Sequence, residues 1–121
     1  MSFTPATYNI VIYQGSDFSE DLTWKDSTGT PINLTGATWE AQIRTDFAAI
    51  SGAALMVTTV DATGGTFRIA MPKTTTAALP NSGQASQREY VYGVWDCEVT
   101  LGGLTNRILE GSVTVSKEAS K

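Results

Sequence analysis

The sequence predicts an all-β protein, an Ig-like antiparallel β-sandwich of about seven to eight strands with at most one short helical turn. Segments rich in β-branched and aromatic residues recur about every ten residues, and turn-forming residues separate them. One segment, residues 37–44, alternates strictly between apolar and polar side chains. A chain of 121 residues can enclose one two-layer core but not two, so we expect a single domain over residues 1–121, with flexible ends at 1–6 and 117–121.

The clearest strand is residues 37–44, which follow a turn at 31–36 rich in proline, asparagine and glycine. The odd-numbered side chains from Ala37 to Ile43 are apolar, and the even-numbered side chains from Thr38 to Arg44 are polar. A helix would spread these side chains around its circumference, whereas an extended strand places them on opposite faces. The pattern therefore predicts a strand with one buried and one solvated face.

Two further strands are predicted before this one. Residues 8–13 are aromatic and β-branched and lead into a turn. In residues 18–24, three large apolar side chains share one face with the acidic Glu20. Residues 26–31 then break the chain with a polar, glycine-containing turn.

A hairpin is predicted in the middle of the chain. Residues 55–60 and 66–71 form its strands, and residues 61–65 form its turn. The apolar side chains at the odd-numbered positions of the second strand, from Phe67 to Met71, face inward.

Connecting segments flank this hairpin. Pro72 ends the second strand because it has no N–H to donate to a ladder. Residues 73–79 can form one helical turn. We interpret residues 47–54 as a loop or a short helical turn, and residues 81–89 as a polar loop.

The last two predicted strands are long. Residues 90–101 and 106–116 flank the pair Gly102 and Gly103, which permits a tight reversal. Large apolar residues that recur on one parity of the strongest strands are expected to form the core. They are Trp24, Trp39, Ile43, Phe67, Ile69, Trp95, Val99, Leu109 and Val113.

The composition argues against most kinds of catalysis. The chain has no histidine, which removes the commonest general base and the usual zinc and copper ligand. Its one cysteine, Cys97, is expected to be a small buried residue. Calcium at the acidic segment 17–21 or at Asp26 is conceivable, but the order of residues fits no calcium loop. We expect no enzymatic activity, no metal and no cofactor.

Charge and hydropathy limit the partners. A net charge of −4 does not suit the displacement of counterions from phosphates, so nucleic acid is not an expected partner. No apolar run is long enough to span a membrane and the first residues do not resemble a signal peptide, so we expect synthesis in a cytosol and no membrane insertion. The four tyrosines could instead stack on sugars, as in carbohydrate-binding β-sandwiches, although cross-strand packing is the commoner role for such residues. They are Tyr8, Tyr13, Tyr90 and Tyr92.

An ordered set of short motifs runs through nearly the whole chain. It consists of QGSDF at 14–18, the turn 26–31, LTG at 34–36, AQIR at 41–44, GTFRI at 65–69, a Thr-rich turn before Leu79, YVYGVWD at 90–96 and RILEGSVTV at 107–115. In this order and spacing, the set resembles small virion proteins of tailed bacteriophages, and in particular the N-terminal Ig-like domain of phage upper-baseplate proteins.

The resemblance implies a non-enzymatic structural protein of the virion, without catalytic residues. It implies a tail or baseplate adaptor that docks on neighbouring virion proteins and helps to position receptor-binding components. Members of that family often continue into a long C-terminal fibre, whereas the sequence here ends at Lys121, so a capsid cement or decoration protein is a second reading. A carbohydrate-binding module for host attachment is a third, and a homo-oligomer is possible.

The docking surface is predicted at residues 47–54 together with Arg44 and Asp46. This segment carries Phe47 and Ile50 among small alanines, where a solvated loop is normally polar. Small residues would let another backbone approach closely, and Arg44 could reach a partner carboxylate at the rim. The alternative is that Phe47 and Ile50 fold back over the open end of the sandwich.

Overall fold

The computed structural model describes residues 5–44, 53–79 and 89–117. Strands account for nearly all of the regular structure in these ranges, as the sequence predicts. The elements are β1 (Ala6–Thr7), β2 (Ile10–Tyr13), β3 (Phe18–Thr23), β4 (Thr38–Arg44), β5 (Ala53–Asp61), β6 (Thr66–Met71), α1 (Lys73–Ala77), β7 (Glu89–Leu101) and β8 (Leu104–Ser116).

The strands form an Ig-like β-sandwich of two layers. The large sheet contains β1 and β2, both paired with β8, followed by β7, β4 and the first part of β5. The small sheet contains the second part of β5, then β6 and β3. Trp39 of the large sheet stacks on Phe67 of the small sheet with ring centroids 4.6 Å apart, which joins the two layers across the core.

Strand β5 belongs to both layers. Its residues 53–55 pair with β4, and its residues 56–61 pair with β6. The register shifts between Thr59 and Asp61, where the ladder is irregular. The strand begins at Ala53, so the end of the segment predicted as a loop at 47–54 is extended backbone.

The N-terminal strands differ from a purely antiparallel sandwich. Both β1 and β2 run parallel to β8, and Tyr8 and Asn9 form a short bend between β1 and β2. The Tyr8 N–H donates to the Glu110 carbonyl at 2.8 Å, and the Asn9 side chain accepts from the Ser112 N–H at 3.0 Å. This bend lies directly on Gly111, where a Cβ atom would approach the Tyr8 carbonyl carbon to 2.7 Å.

Most of the predicted core is confirmed. Six of its members are buried: Ile43, Phe67, Ile69, Trp95, Val99 and Val113. Trp24, Trp39 and Leu109 are only partly buried and pack against the edge of the core. The Trp95 ring is 1% exposed, and its Nε1–H donates to the Tyr8 carbonyl at 2.6 Å.

A bulge in β8 explains why Leu109 is not fully buried. Cys97 lies opposite Leu109, but the next residue, Glu98, lies opposite Arg107, so Ile108 is the extra residue. The bulge reverses the parity of the strand, and Ile108 takes the buried position at 5% exposure. The prediction that Leu109 belongs to the core is therefore confirmed only in part, since Leu109 packs against the core and is partly buried.

The turn after β3 is organised by Asp26. Its Oδ1 accepts hydrogen bonds from the Thr28 N–H at 2.9 Å, the Thr28 hydroxyl at 2.6 Å and the Thr30 N–H at 3.0 Å. Gly29 supplies the left-handed residue of the turn, with φ +87°. The hydrogen bonds from Thr28 and Thr30 favour the ionised carboxylate and lower the pKa of Asp26 below its ordinary value of 3.8.

This turn predicts a loss of stability in acid. A lowered carboxyl pKa contributes stability that is complete above the pKa of the unfolded chain and is lost as the pH falls through the lower folded pKa. Melting temperature should therefore fall as the pH is lowered below about 4. In Asp26→Asn an uncharged amide oxygen can still accept the turn hydrogen bonds, so the melting temperature should change less between pH 6 and pH 2.5. Parallel curves of melting temperature against pH for variant and parent would contradict this role.

Candidate functional site

The outer face of the large sheet carries partly exposed and exposed side chains from β4, β7, β8 and β2. Residues directly opposite in neighbouring strands share a face, so the pairing of β4, β7, β8 and β2 defines rows across it. The rows, from the β7–β8 turn upward, are Thr38–Thr100–Thr105, Glu40–Glu98–Arg107, Gln42–Asp96–Glu110, Arg44–Val94–Ser112 and Val91–Thr114–Val11.

Two of these rows are acidic, and we call Glu40–Glu98–Arg107 and Gln42–Asp96–Glu110 the acidic rows. Glu40 lies directly opposite Glu98, and Asp96 lies directly opposite Glu110. Like charges at such positions destabilise a sheet, typically by a few tenths of a kcal/mol up to about 1 kcal/mol. The only cation in these rows is Arg107, whose contacts are long: 3.7 Å to Asp96 and 3.5 Å to Glu110. Since all three side chains are partly exposed, these ion pairs offset little of the repulsion.

A shallow groove of about 350 Å³ runs along the acidic rows between β4 and β7. Arg44 closes one end of it, and its guanidinium donates to the side-chain amide oxygen Oε1 of Gln42 from Nε at 3.1 Å and from Nη2 at 2.6 Å. Arg107 stands at the acidic end. The groove is therefore open, polar and bordered by charge, which suits a protein surface better than a buried small molecule.

The same face carries exposed apolar side chains at its other end. Val91 and Val11 lie on either side of Thr114, and they are 68% and 39% exposed. We call these three residues the apolar row. Tyr13, two residues further along β2, is 59% exposed on the same face. Such side chains beside polar rows are typical of an interaction surface.

The outer face of the small sheet is different. Its main charges are paired, because Arg68 donates to both carboxylate oxygens of Asp21 at 2.7 and 3.1 Å. This interaction lowers the pKa of Asp21 and raises the pKa of Arg68. Thr58 lies opposite Arg68 in the same row, and Met56 is exposed one row away. Asp61, opposite Thr66 in a further row of this face, accepts from the Gly64 N–H of its own turn at 3.2 Å, so both carboxylates that β3, β5 and β6 place on this face have a partner.

A second groove, of about 450 Å³, lies at the seam between β1 and β3. Half-buried Leu22, Trp24 and Leu109 line it, and the Tyr8 hydroxyl donates a hydrogen bond to the Glu20 carboxylate at the same seam. That bond, with burial, raises the pKa of Tyr8. It also explains the acidic residue that interrupts the apolar pattern of β3.

The residues predicted for docking are only partly located. Arg44 lies on the outer face of the large sheet, at the end of β4. Asp46, Phe47 and Ile50 lie outside the described residues. The acidic and apolar rows were missed because each combines several strands, although the even-numbered polar residues of β4 and β7 gave a signal for an exposed charged face.

The carboxylates considered for calcium each have an assigned partner. Asp17 accepts from the Lys73 N–H at 2.7 Å, and Glu20 accepts from the Tyr8 hydroxyl. Asp21 pairs with Arg68, and Asp26 accepts hydrogen bonds from the N–H groups of its own turn. Within residues 5–44, 53–79 and 89–117, no group of three or more His, Cys, Asp or Glu side chains could hold a metal ion. Burial raises the pKa of Cys97 to about 12, which keeps it a neutral thiol.

The three tyrosine side chains that the structure describes do not form one platform, and the side chain of Tyr90 lies outside the described part. Tyr8 packs against the core at the seam, and Tyr13 points to solvent on the outer face of the large sheet. Tyr92 is partly buried at an irregular position of β7, where the register shifts between Val91 and Gly93. The rings of Tyr8 and Tyr92 are partly buried, whereas the ring of Tyr13 is exposed. These rings therefore do not lie side by side, as a sugar-stacking surface would require.

Comparisons with known proteins give similar solved structures but no match by sequence. No protein-family model and no curated protein matches the sequence. Among solved structures, the chain is similar to the second Ig domain of the mouse polymeric immunoglobulin receptor, with 9% identity, 96% of this chain and 100% of that chain covered, and a TM-score of 0.46. It is also similar to a VGSC β-subunit structure, at 10% identity, 98% coverage of both chains and TM-score 0.44. The extracellular domain of the voltage-gated sodium channel β4 subunit gives 11% identity, 98% coverage of both chains and TM-score 0.45. At these identities the likeness concerns the fold alone.

Among the described residues, no helix has the length and apolar character needed to cross a membrane.

Proposed function

We propose that the chain is a non-enzymatic structural protein of a tailed-phage virion, an adaptor of the tail or baseplate that docks on neighbouring virion proteins. The observation that carries the proposal is the outer face of the large sheet, which combines charged rows, a shallow groove and exposed apolar side chains. The resemblance of the ordered sequence motifs to phage virion proteins supplies the biological setting.

The chemistry of the candidate residues favours binding over catalysis. The sequence has no histidine, and the carboxylates of the first strands and turns have hydrogen-bond or ion-pair partners that hold them in structural roles. A buried thiol with its pKa at about 12 is a poor nucleophile. A broad, shallow surface is suited to contact with a second protein, since catalytic and ligand sites are usually concave.

The location of the protein in particles tests this proposal. Virions purified from a phage that encodes the parent protein should contain it, as detected by mass spectrometry. Gold-labelled antibodies against the protein should mark the tail or baseplate in electron micrographs. Labels on the head would favour the capsid cement or decoration role, and binding on a glycan array would favour host attachment through sugars. Absence from particles at a stage when the protein is abundant in infected cells would contradict a virion role.

A further inference from the structure

We propose that the outer face of the large sheet binds a protein surface that places basic side chains over the acidic rows and an apolar side chain over the apolar row. This inference rests on the proposed function, since it assigns the chemistry of the neighbouring virion protein. It identifies the partner by charge and shape, as a surface rich in lysine or arginine beside an aliphatic or aromatic residue.

Charge balance on the face carries the first step. The described residues of the five rows include four carboxylates and two guanidiniums, so the face is net negative. The four carboxylates are Glu40, Asp96, Glu98 and Glu110, and the guanidiniums belong to Arg44 and Arg107. Two pairs of carboxylates lie directly opposite each other, which a surface selected for solubility alone would avoid by mixing the signs. A basic partner would remove this repulsion and would be steered to the face.

The position of the apolar row carries the second step. Along β7, Val91 lies seven residues from Glu98, which corresponds to about 23 Å of extended strand. The four strands β2, β8, β7 and β4 span about 15 Å in the other direction. The acidic rows and the apolar row therefore share a footprint of about 350 Å², smaller than the roughly 800 Å² that each partner contributes to a standard interface, as expected where a subunit is held by several contacts. The exposed valines at one end and the charged groups at the other give this footprint both an apolar and a polar part, as specific interfaces have.

A second copy of the chain does not supply this partner. The same face on another copy has the same excess of carboxylates, so it has no surplus of basic groups for the acidic rows. On the outer face of the small sheet, Arg68 is already engaged with Asp21. The charge pattern points to a different protein.

The isolated chain gives the first test. In Glu40→Gln with Glu98→Gln, the repulsion between opposite carboxylates is removed, so the melting temperature at low salt should rise by about 2 °C. The difference from the parent should shrink as sodium chloride screens the charges. A control with the same change in net charge on the small sheet is Ser19→Lys with Thr58→Lys. It should not raise the melting temperature, because it removes no opposed carboxylates and places a lysine opposite Arg68. A fall in melting temperature of the glutamine variant would mean that these carboxylates stabilise the fold, and would overturn the proposal.

Crosslinking in particles gives the second test. A benzophenone amino acid at Val91 should crosslink to a segment of another virion protein with net positive charge, and the same probe at Thr58 should not. The glutamine variant should be retained in particles at least about threefold less than the parent, while the lysine control is retained normally. Adducts at Thr58 only, adducts to an acidic segment, or normal retention of the glutamine variant would overturn the partner assignment.

The two proposals fail in distinguishable ways. If the parent protein is in particles but Val91 makes no adduct with a basic segment, the partner assignment is wrong and the virion role stands. If the protein is absent from particles, the virion role is wrong, and crosslinking from the same benzophenone positions is then measured in infected cells. There, a Val91 adduct with a basic segment, without a Thr58 adduct, supports the binding chemistry, and its absence overturns it.

Discussion

Replacing Trp95 with alanine should lower the free energy of unfolding by about 3–5 kcal/mol, because it leaves a large cavity in the core. Trp95 is buried in β7 at 1% exposure, and its indole N–H satisfies the Tyr8 carbonyl at 2.6 Å. The melting temperature should therefore fall by more than about 10 °C for a domain of this size. Denaturant titration followed by circular dichroism would measure the change.

Two further variants divide this effect into its parts. Trp95→Phe keeps an aromatic ring but removes the N–H donor, so it should cost less than alanine while leaving the Tyr8 carbonyl without that partner. Trp39→Ala should cost less than Trp95→Ala, because Trp39 is only partly buried at the edge of the core. Equal stability of Trp95→Ala and the parent would show that the buried face of β7 is wrongly assigned.

Replacing Gly111 with alanine should cost about 3 kcal/mol or more, although it adds only one methyl group. The new Cβ would overlap the Tyr8 carbonyl and lie 2.9 Å from the Asn9 side-chain oxygen. Backbone atoms cannot yield as a flexible side chain can, so β1 and β2 must move away from β8. Overpacking of this kind costs about 1–3 kcal/mol, and each hydrogen bond lost at the bend adds about 1 kcal/mol.

Hydrogen exchange would show where the Gly111→Ala variant is altered. The amides of β2 should exchange faster, while those of β6 should keep most of their protection relative to global stability. Asn9→Ala is the matched control, because it removes the hydrogen bond from the Ser112 N–H without adding volume, and it should cost only about 1 kcal/mol. Parent-like exchange throughout β2 in Gly111→Ala would rule out the close contact.

Local patterns were sufficient to predict most strands and much of the core. The alternation in residues 37–44 correctly places Ala41 and Ile43 in the core, because a strand with one buried face sorts its side chains by parity. The hairpin turn at 61–65 and the turn at Gly102 and Gly103 were also predictable, because glycine is the residue that adopts a left-handed backbone most easily. Gly65, Gly102 and Gly103 do have positive φ. These features depend on a few neighbouring residues.

Features that depend on distant residues could not be predicted. The composition of residues 8–13 favours a strand but does not specify its neighbour, so parallel pairing with β8 was not foreseen. The bulge at Ile108 has no marker in its own sequence and reverses which residues face inward. The acidic rows arise only when β4, β7 and β8 are aligned, because their like-charged members are more than 50 residues apart or belong to different arms of a hairpin.

The parallel pairing of the first and last strands has a mechanical consequence. β1 starts opposite Leu109, and β2 ends opposite Ser116 at the end of β8. Tension applied at the two ends of the domain pulls these strands in opposite directions along a common axis. The ladder hydrogen bonds are then loaded together in shear, whereas an antiparallel pair pulled from its open end would separate one bond at a time. Resistance to tension is governed by the rate of forced unfolding, so this arrangement allows the domain to carry load along its chain beyond what its equilibrium stability alone indicates.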